Sequence, residues 1–173
     1  MRKAILVCGL NGAGKSTLAK ALAERLHLRF VDMEDLYFSK EDNPDYPYEK
    51  SRPYEEVVAL LTDIVNGEKD VVFASVTGKF GEEFLAHLKC VVSVEVPREI
   101  RLKRVYDRSY LRFGDKSREG GAYYGQIKSF HEFCASRDEN LVNDWLRTID
   151  CPILRVDGTL PIAETVNRLA EKL

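Results

Sequence analysis

The chain has 173 residues, 45% hydrophobic and 31% charged, the composition of an ordinary globular protein with enough apolar material for one packed domain over 1–173. Lysine plus arginine (26) nearly balance aspartate plus glutamate (28), so the net charge of −2 excludes bulk attraction to nucleic acid or to an anionic membrane. No apolar run approaches the about 20 residues of a membrane span, and Met1-Arg2-Lys3 leads directly into a strand-like run, which reads as structure and not as a signal peptide.

The first element is a strand at 4–8 (AILVC), followed by Gly9-Leu10-Asn11-Gly12-Ala13-Gly14-Lys15-Ser16 and then Thr17. Leu18, Ala19, Leu22, Ala23 and Leu26 recur at helical spacing, which predicts a helix over 15–27. Strand, G-x-x-x-x-G-K-S and helix in this order form a phosphate-binding loop. Its glycines let backbone N–H groups turn inward on phosphate oxygens, and the helix N-terminus adds partial positive charge. Asn11, Gly12, Ala13, Gly14, Lys15, Ser16 and Thr17 are therefore candidate contacts to a nucleoside triphosphate. Lys15 is expected to reach the β- and γ-phosphates, and the Ser16 hydroxyl to ligate Mg²⁺.

A second strand at 28–31 runs into Asp32, Glu34 and Asp35. Residues 37–52 are polar, tyrosine-rich and broken by proline, and are expected to be an insert on the acceptor side. After a helix over 53–66, the third strand at 70–75 ends on Ser75 without an acidic residue, and Asp70 lies at its wrong end. Asp32 is then the carboxylate placed to partner Mg²⁺ beside Ser16, and Asp32 or Glu34 is the candidate base for an acceptor hydroxyl. Capping of a following helix is the competing role for this acidic cluster, Asp35 above all. Ser75, Thr77 and Gly78 are candidate lining for an acceptor pocket.

A helix over 80–87 and a strand at 90–96 precede a helix over 97–112, in which Arg101, Arg104, Arg108 and Arg112 share one face. Residues 113–148, with Gly114, Gly120, Gly121 and Gly125 followed by a helical pattern (Phe130, Phe133, Leu141, Val142, Trp145, Leu146), are expected to form a long second insert of lid type. A strand at 152–156, the Asp157-Gly158-Thr159 turn and a helix over 161–172 complete the chain. Pro53, Pro97 and Pro161 each open a helix. Continuous apolar strands alternating with helices imply an α/β three-layer sandwich around a five-stranded parallel sheet. The four cysteines lack metal-like spacing and read as buried thiols of a reducing, cytoplasmic setting; the three histidines form no cluster.

The loop, the Phe30-Val31-Asp32-Met33-Glu34 segment, Ser51-Arg52-Pro53-Tyr54-Glu55 and the terminal Val156-Asp157-Gly158-Thr159 together resemble the small P-loop kinases: nucleoside monophosphate, shikimate and gluconate kinases. The resemblance implies a P-loop NTPase fold and an ATP- and Mg²⁺-dependent phosphotransferase acting on a small-molecule acceptor of shikimate, gluconate or nucleotide type. By the same resemblance, Arg52 would take an acceptor carboxylate and Glu34 would touch the acceptor. Arg104 and Arg108, with Arg112 or Arg118 in the lid, would close over the phosphates, and Asp157, Gly158 and Thr159 would border the adenine. The chain departs from shikimate kinases after the third strand, where Ser75-Val76-Thr77-Gly78 replaces their G-G-G turn. A nucleoside monophosphate acceptor is the alternative within this class, with Tyr46, Tyr48 and Tyr54 available to stack a base. The alternative outside it is a nucleotide-dependent switch or accessory ATPase acting on a macromolecular partner. The missing third-strand Asp and the lack of an N-K-x-D segment count against that switch. An unusual acceptor lined by Tyr123 and Tyr124 is a further reading, and the chain is expected to be a monomer or homodimer.

Overall fold

Five runs rich in valine, leucine and isoleucine become the strands β1 (Ala4–Cys8), β2 (Arg29–Asp32), β3 (Val71–Ser75), β4 (Leu88–Glu95) and β5 (Ile153–Asp157). The computed structural model describes residues 3–39, 46, 48 and 50–173; Met1, Arg2 and residues 40–45, 47 and 49 of the first insert lie outside them. The strands form one parallel sheet in the order β2-β3-β1-β4-β5, with Leu6 of β1 opposite Phe73 on one side and Val91 on the other. Every residue of β1 is buried, because alternate side chains feed two cores. Ala4, Leu6 and Cys8 join one core with Val57, Leu61, Phe84 and Trp145; Ile5 and Val7 join the other with Leu18, Leu22, Val166 and Leu169.

The helices are α1 (Lys15–Leu26), α2 (Met33–Tyr37), α3 (Tyr54–Asn66), α4 (Glu82–His87), α5 (Arg98–Phe113), α6 (Tyr124–Ser136), α7 (Leu141–Leu146) and α8 (Ile162–Ala170). Helices α2, α3, α4 and α7 cover one face of the sheet, and α1 and α8 the other. This is the expected five-stranded parallel sandwich. The strand and helix boundaries shift by one or two residues, and α1 stops at His27, which takes a left-handed conformation (φ 56°) and donates its N–H to the carbonyls of Ala23 and Glu24. The acidic residues after β2 form the short helix α2, which is not among the expected helices. The second insert has a single 3₁₀ turn (Gly114–Ser117), and its helical pattern becomes two helices, α6 and α7.

Strand order fixes where a ligand can sit. From β1 the chain crosses to β3 and β2 on one side and to β4 and β5 on the other. The crevice beyond the carboxyl ends of β1 and its neighbours is where ligands collect in such sheets. The phosphate-binding loop, Asp32 and Ser75 all stand at those ends.

Candidate functional site

The loop that follows β1 is wound by glycine. Gly9, Gly12 and Gly14 have φ of 155°, 83° and 92°, and Gly14 caps α1 without any side-chain acceptor, leaving the first-turn N–H groups facing outward. Gly12 has a second constraint: a Cβ there would lie 2.2 Å from the Arg101 carbonyl oxygen. The loop is thus wedged against the start of α5. Arg101, with 3% of its side chain exposed, locks this contact. It donates to the carbonyls of Asn11 (3.1 Å) and Val96 (3.2 Å) and pairs with Glu139 at 2.6 Å. Arg137 holds the same loop residue from the other side, donating to the Asn11 side-chain oxygen at 2.7 Å.

Two spaces flank the loop. On one side a cavity of about 250 Å³ is lined by Ala13, Gly14, Thr17, Arg104, Asp157 and Gly158. Arg104 donates to the Gly158 carbonyl at 3.1 Å across it. On the other side a chamber of about 580 Å³ gathers Asn11, Gly12, Lys15 and Ser16 from the loop, Asp32 and Glu34 from the end of β2, Ser75 and Thr77 from the end of β3, and Arg108 and Arg137 from the helices above. The loop and the start of α1 run between the two spaces.

Charge in the chamber is arranged around Lys15. Its ammonium donates weakly to the Leu10 carbonyl at 3.4 Å. Burial pushes it from its usual 10.5 down to about 8; Asp32 opposes this, Arg108 adds to it, and Glu34 opposes it again. Arg108 makes no hydrogen bond or ion pair among the described residues, so its guanidinium is available to a ligand. Asp32 accepts the Glu34 backbone N–H at 3.0 Å and caps α2, so the capping role and a chamber-facing role coexist in one residue. Tyr48 hydrogen-bonds the Glu34 carboxylate and accepts from Arg112. Burial first, then Glu34, raises the Tyr48 phenol well above its usual range.

Most sequence candidates meet here, and several do not. Arg52 is turned away: it donates to the Leu36 carbonyl at 2.8 Å at the end of α2 and pairs with Glu56 at 3.1 Å, and it lines neither space. Gly78 is buried against the core, its Cβ position 2.7 Å from Trp145. Arg118 is exposed and spent on Tyr110 (2.8 Å) and Asp115 (3.2 Å). Thr159 is folded back on Asp157, donating to its carboxylate through N–H (2.8 Å) and hydroxyl (2.6 Å), which holds that carboxyl below its usual range. Tyr54 donates to the Lys79 carbonyl at 3.1 Å on the surface, outside both spaces, and Tyr123 stacks on Tyr46 with ring centroids 4.9 Å apart. Spacing alone passes over Arg137 and does not single out Arg101. Arg101 has a signal in its place on the arginine face of α5; Arg137, a lone arginine after α6, has none.

The AAA domain family matches residues 5–121 of the chain. The Bacillus subtilis (strain 168) protein YqaC is 29% identical over 182 residues, covering 100% of this chain and 98% of YqaC. Among solved structures, shikimate kinase from Bacteroides thetaiotaomicron superposes with a TM-score of 0.65 at 19% identity, covering 98% of this chain and 97% of that one. A gluconokinase from Sinorhizobium meliloti 1021 superposes with a TM-score of 0.54 at 17% identity, covering 99% and 95%. The three-layer architecture is therefore the fold of the P-loop small-molecule kinases.

Proposed function

The chain belongs to the AAA domain family, and from that premise we propose that it is an ATP- and Mg²⁺-dependent phosphotransferase that moves the γ-phosphoryl group to a small-molecule acceptor. One observation carries the reading. A single chamber is lined by the loop cation Lys15, by the hydroxyl of Ser16, by two carboxylates and by Arg108, which has no protein partner among the described residues. A switch needs a surface for its partner; this arrangement instead gathers the groups of a phosphoryl transfer in one chamber.

Ser16 and Asp32 are hard oxygen donors on one wall, the kind that suits Mg²⁺ when phosphate oxygens supply the rest of the shell. When bound, the ion draws charge from the β- and γ-phosphates. Asp157 and Gly158 border the base, with Arg104 against it. Lys15 and Arg108 balance the charge that spreads over the transferring group. Glu34 takes the proton of the acceptor oxygen, and Arg137 closes the chamber from the second insert, which acts as the lid and keeps water out. Cys8, Cys90 and Cys134 are buried free thiols, which supports a reducing, cytoplasmic setting.

The test is ADP release from MgATP across nucleosides, nucleoside monophosphates, shikimate, gluconate and other sugar acids. One acceptor class should accelerate release, and Lys15→Ala should lower that rate at least about 100-fold, the usual loss for one preorganised charge donor. Glu34→Gln should lower kcat while leaving the ATP KM near its starting value. Slow hydrolysis unaffected by every acceptor would return the chain to the switch reading.

A further inference from the structure

A second chamber opens off the first. Its volume is about 380 Å³, and it shares Glu34, Phe38, Arg108 and Phe130 with the reaction chamber. The rings of Phe38, Tyr46, Tyr48 and Phe113 face it. Phe38 and Tyr46 each meet Tyr48 edge-on, at 5.4 and 5.8 Å, and Phe113 is tilted against Tyr46 at 5.5 Å. A polyhydroxylated acid placed among these rings would lose its hydration with few partners in return. A flat conjugated ring would gain contact area and stacking.

The polar groups narrow the choice. Ser109 is committed, donating to the Val105 carbonyl at 3.0 Å and meeting His131 at 2.9 Å. Arg112 is committed as well, bonded to the Tyr48 hydroxyl and lying over the Tyr48 and Phe113 rings at 4.9 and 5.4 Å. Gln126 makes no hydrogen bond among the described residues, and its amide can both donate to and accept from the edge of a heteroaromatic ring. At the mouth, where the two chambers join, stand the Glu34 carboxylate and the Arg108 guanidinium. Arg108 faces the transferring phosphoryl group, and Glu34 can accept the proton of a neutral hydroxyl.

We propose that the acceptor is an alcohol attached to a planar heteroaromatic ring, a nucleoside in chemical class, with its ring against the aromatic wall that Phe38, Tyr48 and Phe113 present to the chamber, its edge on Gln126 and its hydroxyl on Glu34. This rests on the phosphotransferase reading. The hydroxyl oxygen bonds to the γ-phosphorus as the bond from that phosphorus to the bridging oxygen breaks. ADP leaves with the electron pair, and the hydroxyl proton passes to the Glu34 carboxylate.

Two readouts separate this proposal from the reading it rests on. The first is calorimetric titration of thymidine, cytidine and guanosine into protein saturated with MgADP, which reports the aromatic chamber without turnover. The second is ADP release from MgATP with the same nucleosides, their monophosphates, shikimate and gluconate. Nucleosides should bind and accelerate release. Gln126→Leu, on an exposed stretch of α6, and Phe113→Ala should each weaken nucleoside binding at least tenfold while MgADP affinity stays within twofold. If gluconate or shikimate accelerates release and nucleosides neither bind nor react, the ring assignment falls and the phosphotransferase reading stands. Reaction with monophosphates but not nucleosides would overturn the hydroxyl assignment. If nucleosides bind with the expected dependence on Gln126 and no acceptor accelerates release, the ring assignment holds and the phosphotransferase reading falls.

Discussion

Lys15 is the residue at which charge, burial and ligand meet, and it sets a pH limit. Its ammonium is held near 8 in the ligand-free protein, against a usual 10.5, chiefly by burial. Phosphate oxygens favour the protonated form, so binding at high pH takes up a proton. Affinity for MgATP should be flat below about pH 8 and fall above it, by up to about tenfold per pH unit. Titrations at several pH values check this, and Lys15→Met should flatten the profile while weakening binding throughout. The same depression fixes the sign for folding. Between about pH 8 and 10.5 the unfolded chain binds the proton and the folded one does not, so this group adds stability as pH rises through that window. The meeting of Lys15, Ser16 and Asp32 in one chamber was legible in the sequence, because it follows from spacing around the strand ends. Arg52 was not: its neighbours in sequence resemble a substrate arginine, but the carbonyls of Asp35 and Leu36 at the end of α2 capture it first. No pattern in the chain announces that competition, because α2 itself is only five residues long.

The elements that bracket the loop are joined through Arg101. It connects the start of α5, the loop carbonyl at Asn11 and the Glu139 carboxylate between α6 and α7. Arg101→Ala should cost about 3 kcal/mol, toward the low end for breaking a buried pair, because Glu139 is half exposed and regains water. MgATP affinity should fall as well, since Asn11 loses its anchor. Denaturant melts and nucleotide titration on the same variant report the two effects, and Glu139→Gln should give a milder version of both. The α5 arginine face could be read from its three- and four-residue spacing, but which arginine faces inward could not. That is decided by where α5 crosses the loop, with Gly12 leaving room for the Arg101 backbone. The strands were easier, since Val71–Ser75 and Leu88–Glu95 are buried on both faces and carry continuous apolar runs.

The whole molecule folds around a sheet whose ligand edge is polar and whose two faces are closed by helices, so nucleotide binding should register as global stability. At a MgATP concentration about 100 times its dissociation constant, mass action adds about 2.7 kcal/mol. For a chain of this size each kcal/mol is worth about 2–4 °C, so Tm should rise by about 5–11 °C. Differential scanning calorimetry checks this, and Lys15→Ala should lose most of the rise. One aromatic contact reaches further. Tyr46, from the segment before α3, stacks on Tyr123 and leans on Phe113, on either side of the glycine-bearing turn that leads out of α5. Tyr46 thereby ties its own segment to both sides of that turn. In the proposed phosphotransferase, substrate entry and product exit would then share a gating event, and a turnover slowed at that event would show one common viscosity dependence for both.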